Sequence, residues 1–117
     1  MLTIDGLAQP APAELRVGYE SVGRRETTAD GSLAADRLAL KRQAHLVWRG
    51  LGREEAAQVL SALTQGVFLA VTLPDPLTGE LAGLTMTVLS LEAGLMAVDA
   101  EGRPAACRDV TAVLRER

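Results

Sequence analysis

RLALKRQAHLVWRGLGREEAAQVLSALTQGVFLAVTLPDPLTGE, residues 37–80, changes periodicity twice within one continuous stretch. From Leu38 the side chains alternate. Leu38, Leu40, Ala44, Leu46 and Trp48 share one face, broken only by Arg42, and Ala39, Lys41, Gln43, His45, Val47 and Arg49 share the other. A period of two with one apolar face predicts a half-buried antiparallel strand over Arg37–Arg49. Gly50 and Gly52 interrupt it, and Arg53, Glu54 and Glu55 open a different pattern. Ala56, Val59, Leu60 and Leu63 follow at helical spacing, with acids in the first turn where the helix dipole favours them. This predicts a short helix over about Gly52–Gln65, closed by Gly66. Val67–Leu73 returns to strand character, and Pro74, Asp75 and Pro76 open a turn that runs to Gly79.

Outside this block, Met1–Ile4 reads as a short strand ending at the Asp5-Gly6 turn. Pro10 and Pro12 fix an extended connection. Leu15, Val17 and Tyr19 alternate with Arg16, Gly18 and Glu20, giving another strand. Gly23 to Asp36 is polar and turn-rich, and reads as a long loop that orders on assembly. Leu84, Met86 and Val88 form a strand, Leu95–Val98 another, and Val110, Ala112 and Leu114 a last one before the end. The expectation is six or seven strands with one helix, a mainly β chain of α+β type.

A length of 117 residues fits one domain, residues 1–117, and 48% hydrophobic content supports a packed core. No apolar run reaches the ~20 residues of a membrane helix. The N-terminus lacks the features of a signal peptide. Cys107 is the single cysteine, which precludes an internal disulfide and suits a reducing compartment, so the expected site of synthesis is the cytosol. A net charge of -3 argues against a nucleic-acid-binding module. The three aromatics, Tyr19, Trp48 and Phe68, sit within apolar strand patterns rather than on a stacking surface.

Candidates for chemistry are few. His45, the single histidine, lies on the polar face of a strand with Gln43, Ala44, Leu46 and Val47 beside it, and Cys107 has no partner cysteine. Asp30-Gly31-Ser32 lacks the acids and distal glutamate of a calcium loop. No glycine motif for phosphate binding is present in the sequence. The expectation is a non-enzyme with no catalytic residues, metal or cofactor, and no small-molecule substrate.

Charge is distributed unevenly. Arg24, Arg25, Arg37, Lys41, Arg42, Arg49 and Arg53 outnumber Glu26, Asp30 and Asp36 in the first half of the central region. From Glu54 to Gly102 the charged residues are Glu54, Glu55, Asp75, Glu80, Glu92, Asp99 and Glu101, without a lysine or arginine. One reading is a pair of unlike patches suited to head-to-tail association. The other is that the two segments neighbour one another in the sheet and pair locally.

The order of Asp5-Gly6, Pro10 to Pro12, Gly23-Arg24, Gly31, Asp36-Arg37, Lys41-Arg42, Trp48, Val67-Phe68, Val71-Thr72 and Pro74 to Gly79 resembles a family of small prophage tail proteins encoded among siphophage tail genes. Leu84, Met86 and Val88 stand where relatives tend to carry aromatics. The resemblance implies the fold of tail-tube and distal-tail proteins, a small antiparallel β-sandwich or barrel flanked by one helix and assembled in rings. It implies no catalytic residue. It also implies a virion-tail location, with the chain itself and other tail proteins as partners.

The resulting expectation is a structural tail subunit. Its interface would draw on Arg24, Arg25, Arg37, Lys41, Arg42, Arg49 and Arg53 against Glu54, Glu55, Asp75 and Glu80. The rival readings are an adaptor or assembly chaperone that binds through a sheet edge, and a small hydrolase or ligand-binding barrel with a polar-lined pocket.

Overall fold

The computed structural model describes residues 2–27 and 33–117, with side chains described outside residues 22–39. The described residues form seven strands and one helix. These are β1 (Thr3–Ile4), β2 (Leu7–Ala8), β3 (Glu14–Thr27), β4 (Leu33–Gly52), α1 (Arg53–Thr64), β5 (Leu69–Asp75), β6 (Glu80–Val98) and β7 (Pro104–Glu116). All strands join one antiparallel sheet in the order β2-β1-β5-β6-β7-β4-β3. The mainly β chain with a single helix is therefore observed. Hydrogen bonding does not close the sheet, and β2 and β3 are its two edges. No helix among the described residues is long and apolar enough to cross a membrane.

Local chemistry accounts for most element ends. Asp5 and Gly6 both have positive φ, 49° and 83°, which suits the two-residue turn joining β1 to β2. The Asp5 carboxylate accepts hydrogen bonds from the Ala70 amide at 2.8 Å and from the Gln65 side chain, so this turn is tied to the start of β5. Gly52 caps α1, and Glu54 and Glu55 lie in its first turn. Gly66 follows the C-cap residue Gln65 but is not left-handed, so the helix ends without the glycine conformation that its position suggests. Pro74 and Asp75 belong to β5 rather than to the turn, which occupies residues 76–79 and closes with the Gly79 amide on the Asp75 carbonyl at 2.9 Å.

The core lies on one face of the curled sheet. Leu46 and Trp48 of β4, Leu69, Val71 and Leu73 of β5, Met86 of β6, and Val110, Ala112 and Leu114 of β7 are buried together with Ile4. Ala56, Val59, Ala62 and Leu63 cover them from α1, whereas Leu60 is only partly buried. Full burial of an aliphatic side chain such as Val59 or Leu63 contributes roughly 1.5–3 kcal/mol, so this apolar stripe holds the helix to the sheet. Trp48 is fully buried, and its indole N–H donates to the Pro10 carbonyl at 2.8 Å. That bond draws the Pro10–Pro12 connection across to β4.

Three expectations need correction. Gly23–Asp36 is not a long loop. Residues 23–27 and 33–36 are strand, paired Gly23↔Arg37 through Thr27↔Leu33, and residues 28–32 between them lie outside the described residues. Polar side chains misled the reading because a two-stranded ladder is held by backbone groups, which any non-proline residue supplies. Next, Leu84–Val88 and Leu95–Val98 are parts of one 19-residue strand, β6. Its pairing with β7 shifts register between Val88 and Ser90 and again after Gly94, and each irregularity resets the alternation. Finally, the aromatics are not all core. Phe68 is 48% exposed and lies under the Arg117 guanidinium at 4.7 Å.

Candidate assembly surfaces

β3 and β4 outrun the sheet that they belong to. β4 is 20 residues long, but its pairing with β7 covers only Gln43–Gly52. Its outer half, Leu33–Arg42, pairs with β3 alone. At ~3.3 Å per residue this free portion reaches about 30 Å from the body. The molecule accordingly measures 71 × 26 × 24 Å. A lone two-stranded ribbon is marginally stable in water, so an arm of this length gains most from a surface that covers it.

The root of the arm is built around Asp75. This residue is 1% exposed, at the end of β5. The Tyr19 hydroxyl of β3 donates to Oδ1 at 2.5 Å, and the Arg42 guanidinium of β4 donates through Nε to Oδ2 at 2.9 Å. The Leu77 amide adds a third donor to Oδ1 at 3.1 Å. Tyr19 and Arg42 are themselves cross-strand partners, so both strands of the arm hold one carboxylate. Glu116, at the end of β7, lies 3.6 Å from Arg42 Nη1 and accepts the Arg42 backbone amide at 2.8 Å. This places a carboxylate where β7 stops and β4 would otherwise show its first unpaired amide. Arg42, the exception on an apolar face, is thus explained by a partner 33 residues away.

The Tyr19 hydrogen bond is the largest influence holding Asp75 below its ordinary value of 3.8, with the Leu77 amide and Arg42 helping and burial opposing. The same bond raises the Tyr19 hydroxyl above its ordinary value. An acid with a depressed folded pKa contributes stability that is present above the unfolded value and is lost as pH falls through the folded one. Stability should therefore fall on acidification below about pH 4. Asp75→Asn should flatten that acid limb in urea titrations across about pH 2 to 6, without abolishing it. Asp99 has a pKa lowered by the Arg103 and Glu101 amides and by Arg53, and so retains part of the dependence. An unchanged acid limb in Asp75→Asn would rule out the role given to this carboxylate.

The structure distributes the sequence-nominated interface residues widely. Arg42 pairs with Asp75, Arg49 with Glu14 at 3.3 Å, and Arg53 with Asp99 at 2.8 Å. Arg53 also donates to the Pro104 carbonyl at 2.7 Å, which ties the start of α1 to the β6–β7 connection. Two bonds of this set, Arg42 to Asp75 and Arg53 to Asp99, join the basic segment to the acidic one inside a single chain. Lys41 is half-buried, whereas Glu54, Glu55 and Glu80 are exposed. The side chains of Arg24, Arg25 and Arg37 lie outside the described set, although their backbones form the arm.

Sequence reasoning missed a second surface. β5 pairs with β6 only from Glu80 to Met86, and from Val88 to Val98 β6 pairs with β7 alone. Leu89, Leu95, Met96 and Val98 along this portion are 53%, 52%, 62% and 58% exposed. Beside it runs an apolar groove of about 460 Å³, walled by Ala56, Ala57 and Leu60 of α1, Ala93 and Leu95 of β6, and Cys107 of β7. The signal was present in the sequence as an apolar run without lysine or proline, but reading it as two short strands hid the continuous edge.

No family model matches this chain, and no curated protein matches it. Its fold is similar to that of a chain in a solved structure described as the virion of a native gene transfer agent particle. The TM-score is 0.62 at 9% identity, over 99% of this chain and 90% of the other.

Proposed function

We propose that this chain is a structural, non-enzymatic subunit of a phage or prophage tail, belonging to the tube or its distal end, where it joins copies of itself and other tail proteins. The observation that carries this reading is the arm. Outer β3 and β4 form a two-stranded ribbon that no other strand among the described residues pairs with, and such a ribbon is marginal without a covering surface. The fold shared with a chain of a phage-like virion particle supports the same reading. The curled sheet with α1 across its concave face fits the barrel-like shape expected of tube subunits, with the core on the inside and strand edges left for neighbours. Virion subunits joined through unlike patches form rings or open stacks, depending on whether the rotation closes.

Purified protein examined by light scattering at rising concentration and by electron microscopy should show rings or stacks. Raising the salt should weaken them, because exposed Glu54, Glu55 and Glu80 take part through screened charge. A mass that stays monomeric at high concentration would count against a self-assembling subunit. It would instead favour the adaptor reading, in which the same free edges hold a foreign chain.

A further inference from the structure

We infer that the unpaired edge of β6, Val88–Val98, takes the outer half of β4 from a second copy of this chain as an added strand. The inference rests on the self-assembling reading and specifies its contact. Four observations meet here. The first is that the two free edges lie on opposite sides of β7, which pairs with β4 on one side and β6 on the other. Within one molecule β7 separates them, whereas one copy can present β4 while its neighbour presents β6. The contact is then head-to-tail and leaves one free edge on each copy, β6 on the one that gives its β4 and β4 on the one that receives it.

The second observation is length. The free portion of β4 runs from Leu33 to Leu40, just beyond the Arg42 amide that Glu116 occupies. The free portion of β6 is of similar extent, about ten residues, so each edge can satisfy most of the other's unpaired backbone groups.

The third is the character of the β6 edge. Exposed edges in monomeric proteins are usually blunted by lysine, proline, inward charge or bulges, and of these β6 carries only the register shifts in its pairing with β7. Val88–Val98 has neither lysine nor proline, and Glu92 is its single charged residue. Leu89 and Met96 stand exposed on it, and the groove under α1 opens beside Leu95. Strand addition gains affinity from main-chain bonds and selectivity from such side-chain recesses.

The fourth is charge. The outer β4 segment and its root carry Arg37 and Lys41 against Asp36, with Arg42 already held by Asp75 and Glu116, whereas the receiving edge carries Glu92 alone. Unlike charge favours this pairing over β4 with β4 or β6 with β6.

The test places a photo-reactive benzoylphenylalanine at Leu89 or at Met96, one per preparation, in the full-length chain. An equal mixture of nitrogen-15-labelled and unlabelled protein is irradiated, and links between copies are read by mass spectrometry. The expected links fall within residues 33–42, with the two probe positions marking opposite ends of that segment. Links between copies that fall on other elements, in protein that does assemble, would overturn the strand pairing and leave the tail-subunit reading standing. Protein that remains monomeric and gives no inter-copy links would overturn both.

Discussion

Trp48→Ala should destabilise the protein by about 3–5 kcal/mol, the range for removing a fully buried large aromatic from a core. A domain of this size is stable by only roughly 5–15 kcal/mol, so the variant should be near or past its folding limit. Two losses combine. Trp48 is 0% exposed among Leu46, Val110 and the other core side chains, and no neighbour can fill its volume. Its indole N–H also holds the Pro10 carbonyl, fixing the connection between β2 and β3. Trp48→Phe separates the two effects, since it keeps most of the apolar volume but removes the donor. Loss of that hydrogen bond alone should cost about 0.5–1.5 kcal/mol. Urea unfolding followed by far-ultraviolet circular dichroism is the appropriate measurement, because the sole tryptophan has been removed. A loss below about 1 kcal/mol for Trp48→Ala would contradict the placement of this side chain at the centre of the core.

Shortening the arm should have the opposite profile, with little change in fold and complete loss of assembly. Replacing residues 23–38 with Asn-Gly would join Val22 to Ala39, which are cross-strand partners, through a two-residue turn suited to antiparallel strands. The pairings of β4 with β7, β7 with β6, β6 with β5 and β5 with β1 are left intact. The Asp75 cluster also survives, since Tyr19 and Arg42 lie on the body side of the cut. The variant should therefore unfold within about 1 kcal/mol of the parent, as changes away from buried features do. It should also sediment as a monomer at concentrations where the parent forms rings or stacks. Assembly that persists in the shortened chain would move the interface away from the arm.

The parts of this fold that were legible in the sequence are those whose cause is local. The alternation of Leu46 and Trp48 against His45 and Val47 reports a strand with one buried face, and Ala56, Val59 and Leu63 report a helix. The helix appears within a residue of its expected bounds, whereas β4 (Leu33–Gly52) overruns the expected Arg37–Arg49 at both ends. The arm was not legible because its ladder uses backbone groups, while its side chains carry the polarity usual in loops. The continuity of β6 was hidden where register shifts interrupt the alternation. At the arm root, Arg42 on an apolar face was visible as an anomaly, whereas Asp75 read as part of a Pro-Asp-Pro turn. Nothing in the local pattern joins them, because the contact exists only once the sheet has curled β4 toward β5.

That contact bears on how fast the molecule can find a neighbour. The two oxygens of Asp75 are held by different strands, Oδ1 by Tyr19 of β3 and Oδ2 by Arg42 of β4. Swinging the arm away from the body would break both bonds and leave a carboxylate stranded in a dry site, an expensive distortion. The ribbon is thus aimed before any partner arrives. Orientational entropy that a freely hinged arm would lose at the moment of docking is lost here on folding instead. In the proposed assembly a preset direction would also limit which rotations between successive subunits are accessible, so the angle between one copy and the next would be written into a single aspartate.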